Sequence, residues 1–208
     1  IYDPMTGFFN KVGDLNADHW NHSATLFSDG SVLIAGGFTN KDGSKASHTV
    51  SEIYDPATGT FQVTGSLEID REDHTASLLP TGKVLVTGGI RISPTASGFV
   101  FGTPDFSELY DPSTGTFERF DSVSDITPNV RQGLATPLDN DKVLITSDGG
   151  QASIFDFATS NFRSAGSMDE RRKWHTATLL DSGKVLIVGG SPNVEPITGV
   201  ATAEIFDP

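Results

Sequence analysis

His74-Thr-Ala-Ser-Leu-Leu79, Val84-Leu-Val-Thr-Gly-Gly89, Ser107-Glu-Leu-Tyr-Asp-Pro112 and Thr114-Gly-Thr-Phe117 follow one another in the chain, and this ordered set decides the fold because it recurs. The first phrase returns as His22-Ser-Ala-Thr-Leu-Phe27 and His175-Thr-Ala-Thr-Leu-Leu180, with Gly133-Leu-Ala-Thr-Pro-Leu138 as a degenerate copy. The second returns as Val32-Leu-Ile-Ala-Gly-Gly37, Val143-Leu-Ile-Thr-Ser-Asp-Gly-Gly150 and Val185-Leu-Ile-Val-Gly-Gly190. The third returns as Ile1-Tyr-Asp-Pro4, Ser51-Glu-Ile-Tyr-Asp-Pro56, Ala152-Ser-Ile-Phe-Asp156 and Ala203-Glu-Ile-Phe-Asp-Pro208, its Asp stepping by 52, 56, 45 and 51 residues. The fourth returns as Thr58-Gly-Thr-Phe61, with Phe9 and Phe162 in weaker versions. One phrase can recur by chance; four in fixed order mark a repeat architecture.

Each phrase reads as a strand. The first alternates small polar with apolar residues, the period of two that a half-buried strand shows. The second is a short apolar run rich in β-branched residues, as in a strand buried on both faces. Ser28-Asp-Gly-Ser31, Pro80-Thr-Gly-Lys83, Asp139-Asn-Asp-Lys142 and Asp181-Ser-Gly-Lys184 join them with hairpin chemistry. The sequence therefore predicts four-stranded antiparallel units, a-b-c-d. A unit of about 50 residues cannot bury its own faces and must stack on copies of itself, which in radial form is a β-propeller.

The order and residues of these phrases resemble kelch repeats over nearly the entire chain: paired glycines, then Tyr, then an aromatic on strand d. Phe61, Phe117 and Phe162 stand where kelch repeats often carry Trp. The resemblance implies an all-β propeller of four-stranded antiparallel blades, about four blade equivalents, as a single region over 1–208. The expected division is a partial c-d blade at 1–13, blades at 19–67, 71–121 and 130–168, and a partial a-b-c blade at 175–208. Either the chain is a piece of a larger or shared propeller, or the N-terminal d strand completes the last blade. Ile1, rather than Met, at the start fits a processed or partial chain.

Composition narrows the partners. The chain has 14 Lys and Arg against 27 Asp and Glu, a formal net charge of -13. That field repels nucleic acid and anionic membrane surfaces. No run approaches the length of a membrane-spanning helix. With no Cys, disulfides, thiolate metal sites and Cys nucleophiles are excluded from this segment. Acidic blades rich in Thr and Ser suggest an extracellular, secreted location.

In such blades the b-c and d-a connections share one face. Three b-c loops, Phe38–Val50, Ile90–Phe106 and Ser191–Thr202, are long, and long loops on a rigid scaffold are where binding resides. On the d-a side, Arg71, Arg131 and Arg172 precede strand a, joined by His19, Trp20 and Trp174. At a channel rim the guanidiniums would attract an anion and hold a carboxylate bidentately; these six residues are the binding candidates. A ring of inter-blade salt bridges with Glu72, Asp73, Asp169 and Glu170 stands beside that reading. His22, His74 and His175 share one register and are expected to be architectural. His19 and His22, three apart, would face opposite ways on a strand. No metal site and no cofactor is expected. Asn21-His-Ser23 is a glycosylation sequon.

The expected function is a non-catalytic binding or scaffold propeller that presents these connections to a protein or peptide, with self-association through unpaired terminal blades as a further contact. A glycan-binding or self-assembling structural propeller is one alternative. Another is a fragment of a propeller enzyme whose catalytic residues lie elsewhere. Kelch-type propellers also form the core of copper radical oxidases of the galactose-oxidase type, whose mechanism needs a Cys cross-linked to Tyr that this segment lacks.

Overall fold

The structure, a computed structural model, describes residues 1–41, 44–120, 133–139, 141–192 and 198–208. Among the described residues every regular element is a strand, and no helix is long and apolar enough to cross a membrane. Blade I runs Ser23–Leu26, Val32–Ala35, Ser51–Asp55 and Thr60–Val63. Blade II runs Thr75–Leu78, Val84–Thr87, Ser107–Asp111 and Thr116–Phe120. Blade III runs Leu134–Leu138, Lys142–Thr146, Gln151–Asp156 and Asn161–Ser167. Blade IV has Thr176–Leu179, Val185–Val188 and Ala203–Phe206. Within each sheet the strands are antiparallel in the order a-b-c-d. The a strands of consecutive blades touch, I on II, II on III and III on IV, so the sheets follow one another about a common axis as a four-bladed β-propeller arrangement.

Register explains the repeated phrases. In blade II, Leu78, Val84, Tyr110 and Phe117 stand opposite one another across all four strands. Blade I repeats the row as Leu26, Val32, Tyr54 and Phe61. The aromatic of strand c meets the Phe of strand d at ring-centroid distances of 5.0, 4.8 and 5.0 Å in blades I, II and III. Such cross-strand pairs are the unit of sheet stabilisation.

Strand b is enclosed on both faces, as its sequence predicts. Val84 and Val86 pack with Phe27, Leu33 and Tyr110 between blades I and II. Leu85, pointing the other way, packs with Val143, Ile145 and Phe155 between blades II and III. Leu144 turns from that layer to meet Ile154, Val185 and Ile187 between blades III and IV. Period-two alternation thus sends successive side chains into successive interfaces. Each fully buried Val, Leu or Ile contributes about 1.5–3 kcal/mol.

The N-terminal hairpin, Tyr2–Asp3 with Phe8–Phe9, pairs only with itself among the described residues. It stands beside blade I as blade I stands beside blade II: the Gly13 N–H donates to the Gly59 carbonyl at 2.8 Å, and the Gly65 N–H to the Gly115 carbonyl at 2.9 Å. The hairpin is therefore the c-d pair of a preceding position and does not complete blade IV. Phe8 and Phe9 are 71% and 83% exposed, and Ile205 at the other end is 59% exposed.

Candidate functional site

The d-a connections carry one arrangement three times. Ahead of strand a, a basic residue turns into the blade, toward a Glu on strand c and a glycine carbonyl at the end of strand b. In blade II, Arg71 donates to Glu108 at 2.8 Å, the Gly88 carbonyl at 3.0 Å and the Phe106 carbonyl at 3.2 Å. In blade IV, Arg172 donates to Glu204 at 2.8 and 3.0 Å and to the Gly189 carbonyl at 2.9 Å. In blade I, His19 takes this place, with Glu52 at 3.2 Å and the Gly36 carbonyl at 2.8 Å. The basic residue and the glycine are 17 residues apart in every case. The same Glu accepts backbone N–H groups of the connection: Asn16 and Ala17 onto Glu52, Glu68 onto Glu108, Asp169 onto Glu204.

This geometry corrects the expected rim of arginines. The Arg71 and Arg172 side chains are wholly buried against Glu108 and Glu204. The partners also differ from those expected. Of the expected partners, the Glu170 carboxylate lies 3.5 Å from Arg172, whose closer carboxylate is Glu204. The physical reason is the buried carboxylate: it needs a cation, and the nearest one, two strands away, supplies it. His19 is likewise buried rather than presented. Arg131 lies outside the described residues, and in its blade strand c carries Ser153 where the other blades carry Glu. Burial raises the Glu52 and Glu204 carboxyls, yet hydrogen bonds from Asn16 and Ala17, and from Asp169 and Arg172, hold both below the usual range. Burial pulls the Arg71 guanidinium down, with Glu108 opposing it.

The repeat histidines link blades. His74 Nε2 meets Ser23 Oγ of blade I at 2.8 Å, and His175 Nε2 meets Thr146 Oγ1 of blade III at 2.7 Å. Burial, reinforced by the Arg71 charge, pushes His74 down to about 3. His22 and His175 are lowered too, again chiefly by burial. His19 precedes the strand, so the expected opposition of His19 and His22 does not hold: their rings meet edge-on at 5.8 Å, with His48 4.8 Å from His19. Among the described residues no group of three or more His, Asp or Glu is placed to hold a metal ion.

At the centre of this face lies a cavity of about 190 Å³, bounded by two residues from each blade: Asn21 and His22, Asp73 and His74, Gly133 and Leu134, Trp174 and His175. Three of these hold the left-handed conformation in one register: Asn21 at φ 53°, Asp73 at 50° and Trp174 at 54°. For Asn and Asp that conformation is tolerated; for Trp it is a marked outlier.

The second glycine of each pair fixes it. A Cβ on Gly37, Gly89 or Gly190 would lie 2.5, 2.6 or 2.7 Å from the carbonyl of Trp20, Glu72 or Lys173, the residue just before each left-handed one. The paired glycines thus seat the d-a connection and aim the following side chain into the mouth. Trp174, a predicted site residue, lines the mouth and is 51% exposed; Trp20 is 60% exposed, its ring 5.7 Å from Phe38. Asn21, the sequon residue, donates through Nδ2 to Glu72 at 3.1 Å.

Two of the long b-c loops are β-ribbons: Phe38–Lys41 with Ser44–Ser47, and Arg91–Thr95 with Gly98–Gly102. Bridges Trp20–Phe38, Glu72–Ile90 and Lys173–Ser191 tie each d-a connection to the start of its b-c segment, so both share the mouth face. The Ile92 N–H on Ser47 Oγ at 2.8 Å joins the ribbons, and Arg91 Nε donates at 2.8 Å to Asp70 of the d-a connection.

No protein-family pattern matches the sequence, and no curated protein matches it. Among solved structures, a fungal alcohol oxidase of the AA5 family in complex with copper is similar, with TM-score 0.74 and 19% identity over 98% of this chain and 43% of that one. The chain therefore spans less than half of that protein, and at this identity the likeness shows the β-propeller fold alone.

Proposed function

We propose that this chain is a binding propeller of the kelch type, with the axial mouth as its ligand site and the two b-c ribbons as a wall beside it. The observation that carries this reading is the left-handed backbone repeated at Asn21, Asp73 and Trp174 around one cavity. Strain of this kind costs about 1–3 kcal/mol per residue and persists where the surroundings enforce it, typically at sites that must present a side chain. The partner is a protein or peptide, and an extracellular location belongs to the same reading. The test is selection of ligands from a displayed peptide library and a glycan array, with Trp174→Ala as counter-screen. Peptides that lose binding to the variant support it. Ligands that bind wild type and variant alike place the site elsewhere, and glycan hits without peptide hits favour the glycan-binding alternative.

A second reading, a segment of a propeller enzyme, is favoured by the likeness to the copper-bound alcohol oxidase. The residues of this mouth do not fit copper. The chain has no Cys, and the Nε2 atoms of His74 and His175 are engaged by Ser23 and Thr146. Copper titration followed by visible absorption tests this reading, and stoichiometric binding would revive it.

A further inference from the structure

We propose that the face opposite the mouth carries a second site, a cavity between blades I and II that takes a primary alkylammonium group, the head and stem of a lysine side chain. The observation that carries it is a cation that three blades supply from their own chain and the fourth does not.

In blades II, III and IV the residue ahead of strand b is a lysine, and its ammonium meets the Asp where strand c ends: Lys83 with Asp111 at 3.0 Å, Lys142 with Asp156 at 3.8 Å and Lys184 with Asp207 at 2.6 Å. Both partners feel the pairing in blade II. Ser113 and then Lys83 hold the Asp111 carboxyl down to about 2, and Asp111 raises the Lys83 ammonium. In blade I the pairing of Val32 with Tyr54 brings Ser31 and Asp55 to the same place. Ser31 is no cation, and its N–H and hydroxyl donate to Asp29 at 2.9 and 2.6 Å.

Asp55 accepts the Ala57 N–H at 2.8 Å and the Thr58 hydroxyl at 3.0 Å. Asp111 accepts the corresponding bonds, from the Ser113 N–H at 2.9 Å and its hydroxyl at 2.6 Å, and holds Lys83 as well. The bonds of the turn therefore leave the carboxylate able to accept from an ammonium. Among the described residues neither Asp55 nor Asp29 is in an ion pair.

The space beside Asp55 suits an alkyl chain. A cavity of about 370 Å³ is lined there by Asp29, Ser31 and Asp55 together with Phe27, Ile53 and Tyr110. Phe27 and Tyr110 are buried, their ring centroids 6.3 Å apart. Aromatic carbon next to a carboxylate favours a positive head on an apolar stem. In the other three blades that stem belongs to the chain itself; in blade I it comes from outside.

The experiment is an NMR titration of the whole isotope-labelled chain in about 0.15 M salt, which screens the diffuse attraction of its net charge of -13. The probes are lysine capped at both backbone ends, the same compound acetylated on its side chain, and the free diamine putrescine. Capped lysine should shift the amides of Gly30, Asp55 and Ala57, and the acetylated form should not. Asp55→Asn should weaken binding about fivefold. Ser31→Lys, which restores the ammonium that the other blades carry, should abolish it. Ser182→Lys, which adds the same charge on an exposed turn of blade IV, should leave it in place. Circular dichroism confirms folding, and if Asp55→Asn unfolds, the two lysine variants decide.

Binding of capped lysine that Ser31→Lys blocks and Ser182→Lys does not supports the proposal and assigns a partner's lysine. Putrescine blocked in the same way, with capped lysine silent, supports it with a free amine as the source. Equal binding of the acetylated form, equal binding to Ser31→Lys, or no shift at any amide of blade I overturns it. The site is separate from the mouth, so none of these results bears on Trp174.

Discussion

Replacing Arg71 by Met tests the correction on which the site rests. The guanidinium and its Glu108 partner are both fully buried, 2.8 Å apart. Without the cation, Glu108 keeps a hydrogen bond from the Glu68 N–H but loses its counter-charge. The carbonyls of Gly88 and Phe106 lose donors as well. Removing one partner of a buried ion pair costs about 3–5 kcal/mol, because the remaining charge is stranded out of water. The double variant Arg71→Met/Glu108→Leu removes that stranded charge and should recover part of the loss, although the Glu68 N–H is then orphaned at about 1–3 kcal/mol. A contrasting pair is Lys83 with Asp111, 3.0 Å apart with the lysine 34% exposed. Lys83→Met should cost far less, because solvent screens an exposed pair. Urea unfolding followed by circular dichroism reads all three, with stability taken from midpoints at constant slope. If Arg71→Met costs no more than Lys83→Met, the guanidinium faces solvent, and the arginine rim discarded above is restored.

Acid should loosen the blade interfaces through His74. Its folded pKa of about 3 lies below the ordinary 6.5, so the unfolded chain binds the extra proton, and stability is full above 6.5 and falls as pH drops toward 3. The loss amounts to at most about 5 kcal/mol. His74→Gln should flatten the dependence of stability between pH 6.5 and about 5, where carboxylates contribute little; an unchanged slope would refute this. Gly89→Ala, at φ 89° with a Cβ only 2.6 Å from the Glu72 carbonyl, should cost several kcal/mol, about 2 or more. Gly149→Ala, whose nearest neighbour is 3.7 Å away, should be nearly neutral, both read by the same urea unfolding. The apolar ends of the arc should make the chain associate as its concentration rises, read by sedimentation velocity. Phe9→Ser with Ile205→Ser should suppress that association, and monodisperse behaviour of the unmodified chain at high concentration would count against it.

The blades were legible because their information is local. Leu78, Val84, Tyr110 and Phe117 recur in order, and period two with short turns dictates how they line up. The stapling of Arg71 by Glu108 was not legible, although both residues recur in their phrases. Their contact spans 37 positions and depends on the connection folding back over strand b. The b-c ribbons were hidden as well. Pro94 sits inside one of their strands, opposite Phe99, and a proline argues against a strand when only the sequence is in view. At the mouth, Asn21 and Asp73 are residue types that tolerate positive φ, but nothing in the sequence around Trp174 announces that it shares their conformation. Only the glycine pairs hinted at it, since they recur where a backbone must come close.

Each mouth residue is seated by the glycine of its own blade, Gly37 under Trp20, Gly89 under Glu72 and Gly190 under Lys173. The socket is therefore built independently of the plug it holds, and Asn, Asp and Trp already occupy equivalent sockets. Asn21 is tied to a neighbouring seat, through Glu72, so the selectivity of the opening is best rewritten at Trp174, while the masonry of the blades stays as it is.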